Sequence, residues 1–170
     1  MTFEKTNLKE VDAITHIVAD ARSRIGRLGI DQWQYGYPSR DVIIEDIRAG
    51  RSYVALDDDG SLCAVFTVIS DGEPVYEKIF GGAWQTEGKN YLAVHRIAVS
   101  GDKLRRGVAS QAMGFVEQMA KDAGRDSVRI DTHRGNAPMR AMLERNGYLM
   151  CGSVYLENGE HRVAYEKIVK

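Results

Sequence analysis

The stretch Leu104-Arg-Arg-Gly-Val-Ala-Ser110 sets two cations and small residues where a strand period gives way to a helix period. The first turn of a helix carries backbone N–H groups without intrahelical acceptors and a partial positive charge. Gly107 and Ala109 let an anion approach that backbone closely, and Arg105, Arg106 and the nearby Lys103 add formal charge. This is the chemistry of an anion site, best matched to phosphate or pyrophosphate. Standard nucleotide loops are absent. No G-x-G-x-x-G occurs, and Gly82 to Asn90 has five residues between its glycines and Asn90 where Ser or Thr is needed.

Acid–base chemistry has fewer candidates. His95 sits on a strand two residues before Ile97, so alternation gives their side chains one face. It is the leading candidate, against a plain cross-sheet hydrogen bond. His133, after a strand end, is the second. Trp33, Tyr35 and Tyr37 form an aromatic loop that is either a substrate-pocket wall or a cover for the core. Asp57, Asp58 and Asp59 lack calcium-loop spacing and read as a solvated turn. Cys63 and Cys151 form no C-x-x-C and read as buried thiols, so no metal site is expected.

Alternating strands and helices position these groups. Residues 3–6 read as a strand. Asn7 caps a long helix with apolar residues at Leu8, Val11, Ile14, Ile17, Val18, Ala21 and Ile25, ending near Gly29. Ser39 caps a second helix that stops at Gly50. Residues 52–56 and 62–69 are strands joined by Asp57-Asp-Asp-Gly60. Residues 71–90 form a long connection with one short helix. A strand over 91–99, a helix over 107–123 and a strand over 127–132 allow a parallel pair. Asn136 caps a helix with Ala137 and Pro138 in its first turn. Strands over 153–156 and 162–168 flank the Asn158-Gly159 turn.

Arg96-Ile-Ala-Val99 followed by Leu104-Arg-Arg-Gly-Val-Ala109 resembles the central motif of the GNAT superfamily of N-acetyltransferases, [QR]-x-x-G-x-[GA] after a hydrophobic strand. Leu104 stands where the family has Gln or Arg, a position that contributes its backbone. Asn136-Ala-Pro-Met-Arg-Ala-Met-Leu-Glu-Arg-Asn-Gly-Tyr148 resembles the family's N-x-x-A-x-x-[LF]-Y-x-[KR]-x-G-F helix. The element order matches over nearly the whole chain. The resemblance implies one α/β (α+β) domain over residues 1–170: a mixed, mostly antiparallel central sheet with a splayed parallel strand pair, flanked by helices.

It also implies the chemistry. Acetyl-coenzyme A would be held by Ile97, Ala98 and Val99 along its pantetheine arm and by Arg105, Arg106, Gly107, Val108, Ala109 and Ser110 at its pyrophosphate. Asn136 would contact it as well, and a helix cap is the ordinary reading of that residue. A backbone N–H on the strand would polarise the thioester while a primary amine attacks it directly. The family's usual Tyr acid falls at Leu143, and Tyr148 takes a packing position. His95 would be the catalytic residue, with Trp33 and Tyr35 on the acceptor side. The alternative is a non-catalytic acyl-CoA-binding domain of the same fold, acting as sensor or interaction module.

The bulk properties limit the rest. A net charge of −1, from 23 basic and 24 acidic residues, gives no general reason to expect nucleic acid or an anionic membrane as partner. Neither a signal-peptide pattern nor an apolar run of about 18 residues is visible, so a cytoplasmic location is expected. The expected partner is a small-molecule or peptide amine, and a homodimer through the C-terminal hairpin or a sheet edge is left open.

Overall fold

The computed structural model describes residues Met1–Lys170. Its regular elements are β1 (Thr2–Lys5), α1 (Val11–Gly26), α2 (Arg40–Arg48), β2 (Ser52–Leu56), β3 (Leu62–Ile69), β4 (Tyr91–Val99), α3 (Val108–Asp122), β5 (Ser127–Thr132), α4 (Ala137–Arg145), β6 (Leu149–Tyr155) and β7 (His161–Ile168). The strands follow the order β1-β2-β3-β4-β5-β7-β6 in a mixed, mostly antiparallel sheet, and β4 and β5 are its parallel pair. The expected fold class is what is found. The chain divides into two compact units, Met1–Val68 with Arg96–Ala112 and Ile69–His95 with Met113–Lys170, so β4 and α3 contribute residues to both.

In the first unit, Asn7 caps as its residue type predicts, but it caps a tighter turn. Its Oδ1 accepts from Lys9 N at 3.0 Å, and Glu10 Oε2 accepts from Asn7 N at 2.6 Å. This reciprocal capping box closes a 3-10 turn over Leu8–Glu10, so the α-helix starts at Val11 and ends at Gly26, short of Gly29. Val11, Ile14, Ile17, Val18 and Ala21 are its buried stripe. Ile14, Ile17, Val18 and Ala21 pack with Ile43 of α2, Val54, Val65 and Ala98. Ser39 Oγ accepts from Val42 N at 3.3 Å and starts α2. Ala55, Cys63 and Ala64 form a second cluster with Val108, at the start of α3.

In the second unit, β5 pairs with β7 from Ser127↔Ile168 to Thr132↔Val163. The parallel ladder of β4 with β5 runs only from Tyr91↔Ser127 to Val94↔Ile130. It therefore ends five residues before β4 does. β6 begins at Leu149, not at the expected Ser153. Leu149 and Met150 are exposed and the register shifts between Met150 and Gly152, so no alternating apolar pattern marks the strand's start.

The connection 70–90 contains the one short helix expected, a 3-10 turn over Pro74–Glu77. It is fastened by a buried charge pair. Arg129 Nε meets Glu166 Oε1 at 2.9 Å, and both side chains are fully or almost fully buried. Glu166 also accepts from Ser127 Oγ, Thr86 Oγ1 and Gln85 N at 2.5–2.6 Å. The guanidinium lies 4.3 Å from the Trp84 ring centre and 4.0 Å from that of Tyr91. Close packing fixes the path further, because a Cβ on Gly82 would collide with the carbonyl of Cys151.

Burial alone would raise the Glu166 carboxyl, but the bonds from Ser127, Thr86 and Arg129 outweigh it and leave it below its ordinary value of 4.5. A carboxyl depressed by folding contributes fully above its unfolded value, and the contribution fades as acid protonates the native state. Glu166→Gln is therefore expected to lower unfolding free energy by about 3–5 kcal/mol at pH 7, because Arg129 keeps a buried charge without its partner. In urea denaturation the gap between E166Q and the unsubstituted protein should narrow below about pH 4.5.

Candidate active site

The turn read from the sequence as an anion site is built within the first unit. Arg105 has φ +60° and Gly107 φ +74°. Left-handed residues set among right-handed or extended ones turn successive N–H groups to one side, which makes a concavity for an anion. Gly107 supplies its conformation without Cβ strain, while Arg105 adopts it as an exposed side chain. The first helical bond of α3 from this end is Gln111 N to Gly107 O at 3.0 Å, so the N–H groups of Val108 to Ser110 head the helix. Val108 is 2% exposed and seats that terminus on Ala55, Cys63 and Ala64.

Lys103 does not add free charge to this turn as its place in the sequence suggests. Its Nζ is 3.1 Å from Asp57 Oδ2, and this bond holds the Asp57 carboxyl below its ordinary range. The acidic turn after β2 is thus partly an anchor for the loop. The Asp58 carboxylate pairs with the N-terminal ammonium at 3.2 Å.

Between the turn and the ladder, β4 contains a left-handed residue: Arg96 has φ +54°. Such a conformation costs a non-glycine residue about 1–3 kcal/mol and persists only where surroundings over-determine it. Here Arg96 Nη1 donates to Asp46 Oδ2 at 2.9 Å and its Nε to the Tyr37 hydroxyl at 2.8 Å. Asp46, 2% exposed, also accepts from Arg51 Nε at 2.7 Å and Thr67 Oγ1 at 2.8 Å. Arg96, Asp46 and Thr67 border a small hollow lined also by Ile14, Val18, Ile43 and Val65. The alternation that would give His95 and Ile97 a common face does not run through Arg96, because it needs an extended backbone at every step. Beyond Arg96, Ile97 and Ala98 are buried, and the Val99 carbonyl accepts from Arg24 Nη2 at 2.6 Å.

His95 belongs to the second unit. Its Nε2 is 2.9 Å from Glu73 Oε2, with side-chain exposures of 19% and 15%. The approach satisfies the distance but not the angle of a hydrogen bond, and Nε2 is buried. The imidazole also lies 5.9 Å, centre to centre, from the Tyr76 ring. The Tyr76 hydroxyl donates to Asp131 Oδ2 at 2.7 Å, and burial followed by the Asp131 charge pushes its pKa well up. Tyr76 is therefore a fixed neutral donor. Glu73 carried no sequence signal: it lies in the long connection, 22 positions before His95, and no motif links the two.

The remaining candidates are placed as follows. Asn136 Oδ1 accepts from Met139 N at 3.3 Å, so the cap is present. Leu143 is fully buried in α4, where the resemblance would put a Tyr acid. Tyr148 is 1% exposed, and burial raises its pKa, so it packs as expected. The imidazole of His133 accepts from Gly135 N at 2.9 Å and serves a turn. The two readings of the aromatic loop separate by residue. Trp33 packs on the α1 core, whereas Tyr35 is 88% exposed and Tyr37 stacks on Arg96 with 5.5 Å from guanidinium to ring centre. No helix is long and apolar enough to cross a membrane.

Known proteins share this fold. Among solved structures, a GNAT-family acetyltransferase from Streptococcus agalactiae is 36% identical, with a TM-score of 0.88 over 99% of this chain and 95% of that one. A GNAT-family acetyltransferase from Listeria monocytogenes is 18% identical, with a TM-score of 0.74 over 98% and 94% of the two chains. The ribosomal-protein-S18-alanine N-acetyltransferase of Escherichia coli shares the fold at 13% identity, with a TM-score of 0.64 over 99% and 94%. A search of the curated proteins returns no match. The model of the acetyltransferase (GNAT) family matches residues 16–148, which include the Arg105–Gly107 turn and the capped α4, and the chain belongs to that family.

Proposed function

We propose that this chain transfers an acetyl group from acetyl-coenzyme A to a primary amine by direct attack on the thioester. The observation that carries the reading is the left-handed turn at Arg105 and Gly107 opening onto the N-terminus of α3. Its donors suit the pyrophosphate: backbone N–H groups from Arg105 to Ser110, with Arg105 and Arg106 as exposed counter-charges. Asn136, which already caps α4, is the side chain assigned to the cofactor from that helix. Coenzyme A supplies the activated acyl thioester.

The protein's own groups would then do three things. Ile97, Ala98 and Val99 lie past the end of the parallel ladder, where their backbone groups are assigned to the pantetheine arm and the thioester carbonyl. The Val99 carbonyl is already committed to Arg24, so a strand N–H would be the group that polarises the thioester carbonyl. His95 takes the proton of the attacking ammonium or amine. On the acceptor side, Tyr35 is free to meet the substrate, while Trp33 holds the loop to the core.

Titration calorimetry with acetyl-coenzyme A, and release of free thiol in the presence of a mixed panel of amines, test this reading. Saturable binding with amine-dependent thiol release is expected. Binding without turnover would move the chain to the non-catalytic alternative, and absence of binding would overturn both. Reversing Arg105 and Arg106 to Glu should weaken cofactor affinity, with a larger loss at 20 mM salt than at 300 mM because exposed charges are screened. Gly107→Ala should weaken it at both salts, and should lower stability by about 1 kcal/mol in urea denaturation, since the left-handed backbone is strained for Ala.

A further inference from the structure

We infer that Glu73 is the positioning residue for His95, fixing which imidazole nitrogen is free to accept a proton. The inference rests on the reading of His95 as the base. Glu73 starts the 3-10 turn, and its two carboxylate oxygens have different tasks: Oε1 faces Val75 N at 3.5 Å, and Oε2 faces His95 Nε2 at 2.9 Å. The Tyr91 hydroxyl accepts from Glu73 N at 2.9 Å, which pins the backbone beneath the carboxylate. A carboxylate only accepts, so the nitrogen opposite it must carry the hydrogen in the neutral ring. That places N–H on the buried Nε2 and the lone pair on Nδ1, the nitrogen not sealed from solvent. Catalytic hydrogen bonds are commonly off-axis of this kind before a substrate is bound.

The surroundings support this orientation and supply no rival. The Tyr76 hydroxyl donates to Asp131, and its ring lies 5.9 Å from the imidazole, centre to centre, as a wall. Glu77, on the same turn, pairs with Lys89 at 2.6 Å. Glu73 is thus the only carboxylate in contact with His95. During turnover the amine's proton goes to Nδ1 as its nitrogen bonds to the acyl carbon. The C–S bond then breaks and the thiolate leaves, and the imidazolium is stabilised by Glu73 at the opposite nitrogen.

Glu73→Gln tests the assignment with little structural change. If the amide oxygen keeps the Val75 contact, the NH2 group takes the place of Oε2 and presents a donor to Nε2. The ring must then carry its hydrogen on Nδ1, and the free lone pair is lost. With 15N-labelled histidine at pH 9, and with His95→Asn to identify the resonances, the unsubstituted protein should show the Nε2–H tautomer and E73Q the Nδ1–H tautomer. With acetyl-coenzyme A and the best amine of the panel, E73Q should lose about 100-fold in kcat with KM for acetyl-coenzyme A unchanged, and Glu73→Asp should recover part of that loss. An Nδ1–H tautomer in the unsubstituted protein, or one that E73Q does not alter, overturns the inference. So does a kcat within threefold of normal in E73Q. The tautomer is read without turnover, so a failed acetyltransferase assay and a failed pairing of Glu73 with His95 remain separate results.

Discussion

A left-handed residue inside a strand organises the first unit of this molecule. Arg96 cannot remain at φ +54° on its own account, and it is held by a buried carboxylate, Asp46, and by the Tyr37 hydroxyl. The same carboxylate accepts from Thr67 on β3 and from Arg51, so helix α2, strand β3 and strand β4 share one anchor. The result is a strand with two characters. Before Arg96 it pairs in register with β5, and after it the backbone is released from that ladder. Ordinary sheet pairing would have used up the groups assigned to the cofactor.

The anion turn follows a related logic. Its shape comes from backbone direction more than from side-chain charge. Arg105 and Gly107 turn the chain, Val108 seats the helix terminus on small residues of β2 and β3, and the Lys103–Asp57 pair ties the loop to the preceding hairpin. Lys103 is thereby withdrawn from the electrostatics that its position in the sequence suggests. Exposed cations remain at Arg105 and Arg106, where they act at a distance set by salt.

In the second unit, a buried Arg–Glu pair has an architectural part. Arg129 stands between two aromatic rings, and Glu166 collects donors from Thr86, Gln85 and Ser127. A long connection whose one short helix is a 3-10 turn is tied down by these bonds. The same connection carries Glu73 and Tyr76 to His95, so it forms the surroundings of the acid–base candidate.

Patterns local to the chain were legible in the sequence. Helix periodicity gave α1 to α3, capping residues gave α4, turn chemistry gave the hairpins, and the spacing from Arg96 to Ala109 together with the Asn136 helix gave the family. These signals survive because each depends on neighbours within a few residues. Boundaries shifted where local bonds competed, as when the Asn7–Glu10 box closed a 3-10 turn ahead of α1. What the sequence lacked was anything created by distant residues meeting. The left-handed Arg96 depends on Asp46, 50 positions away, and the Glu73–His95 contact on a connection tied down by Glu166. Periodicity placed His95 and Ile97 on one face, and the left-handed Arg96 between them breaks the extended alternation on which that reading depends, because a charge buried in the fold will hold a backbone conformation that no local preference selects.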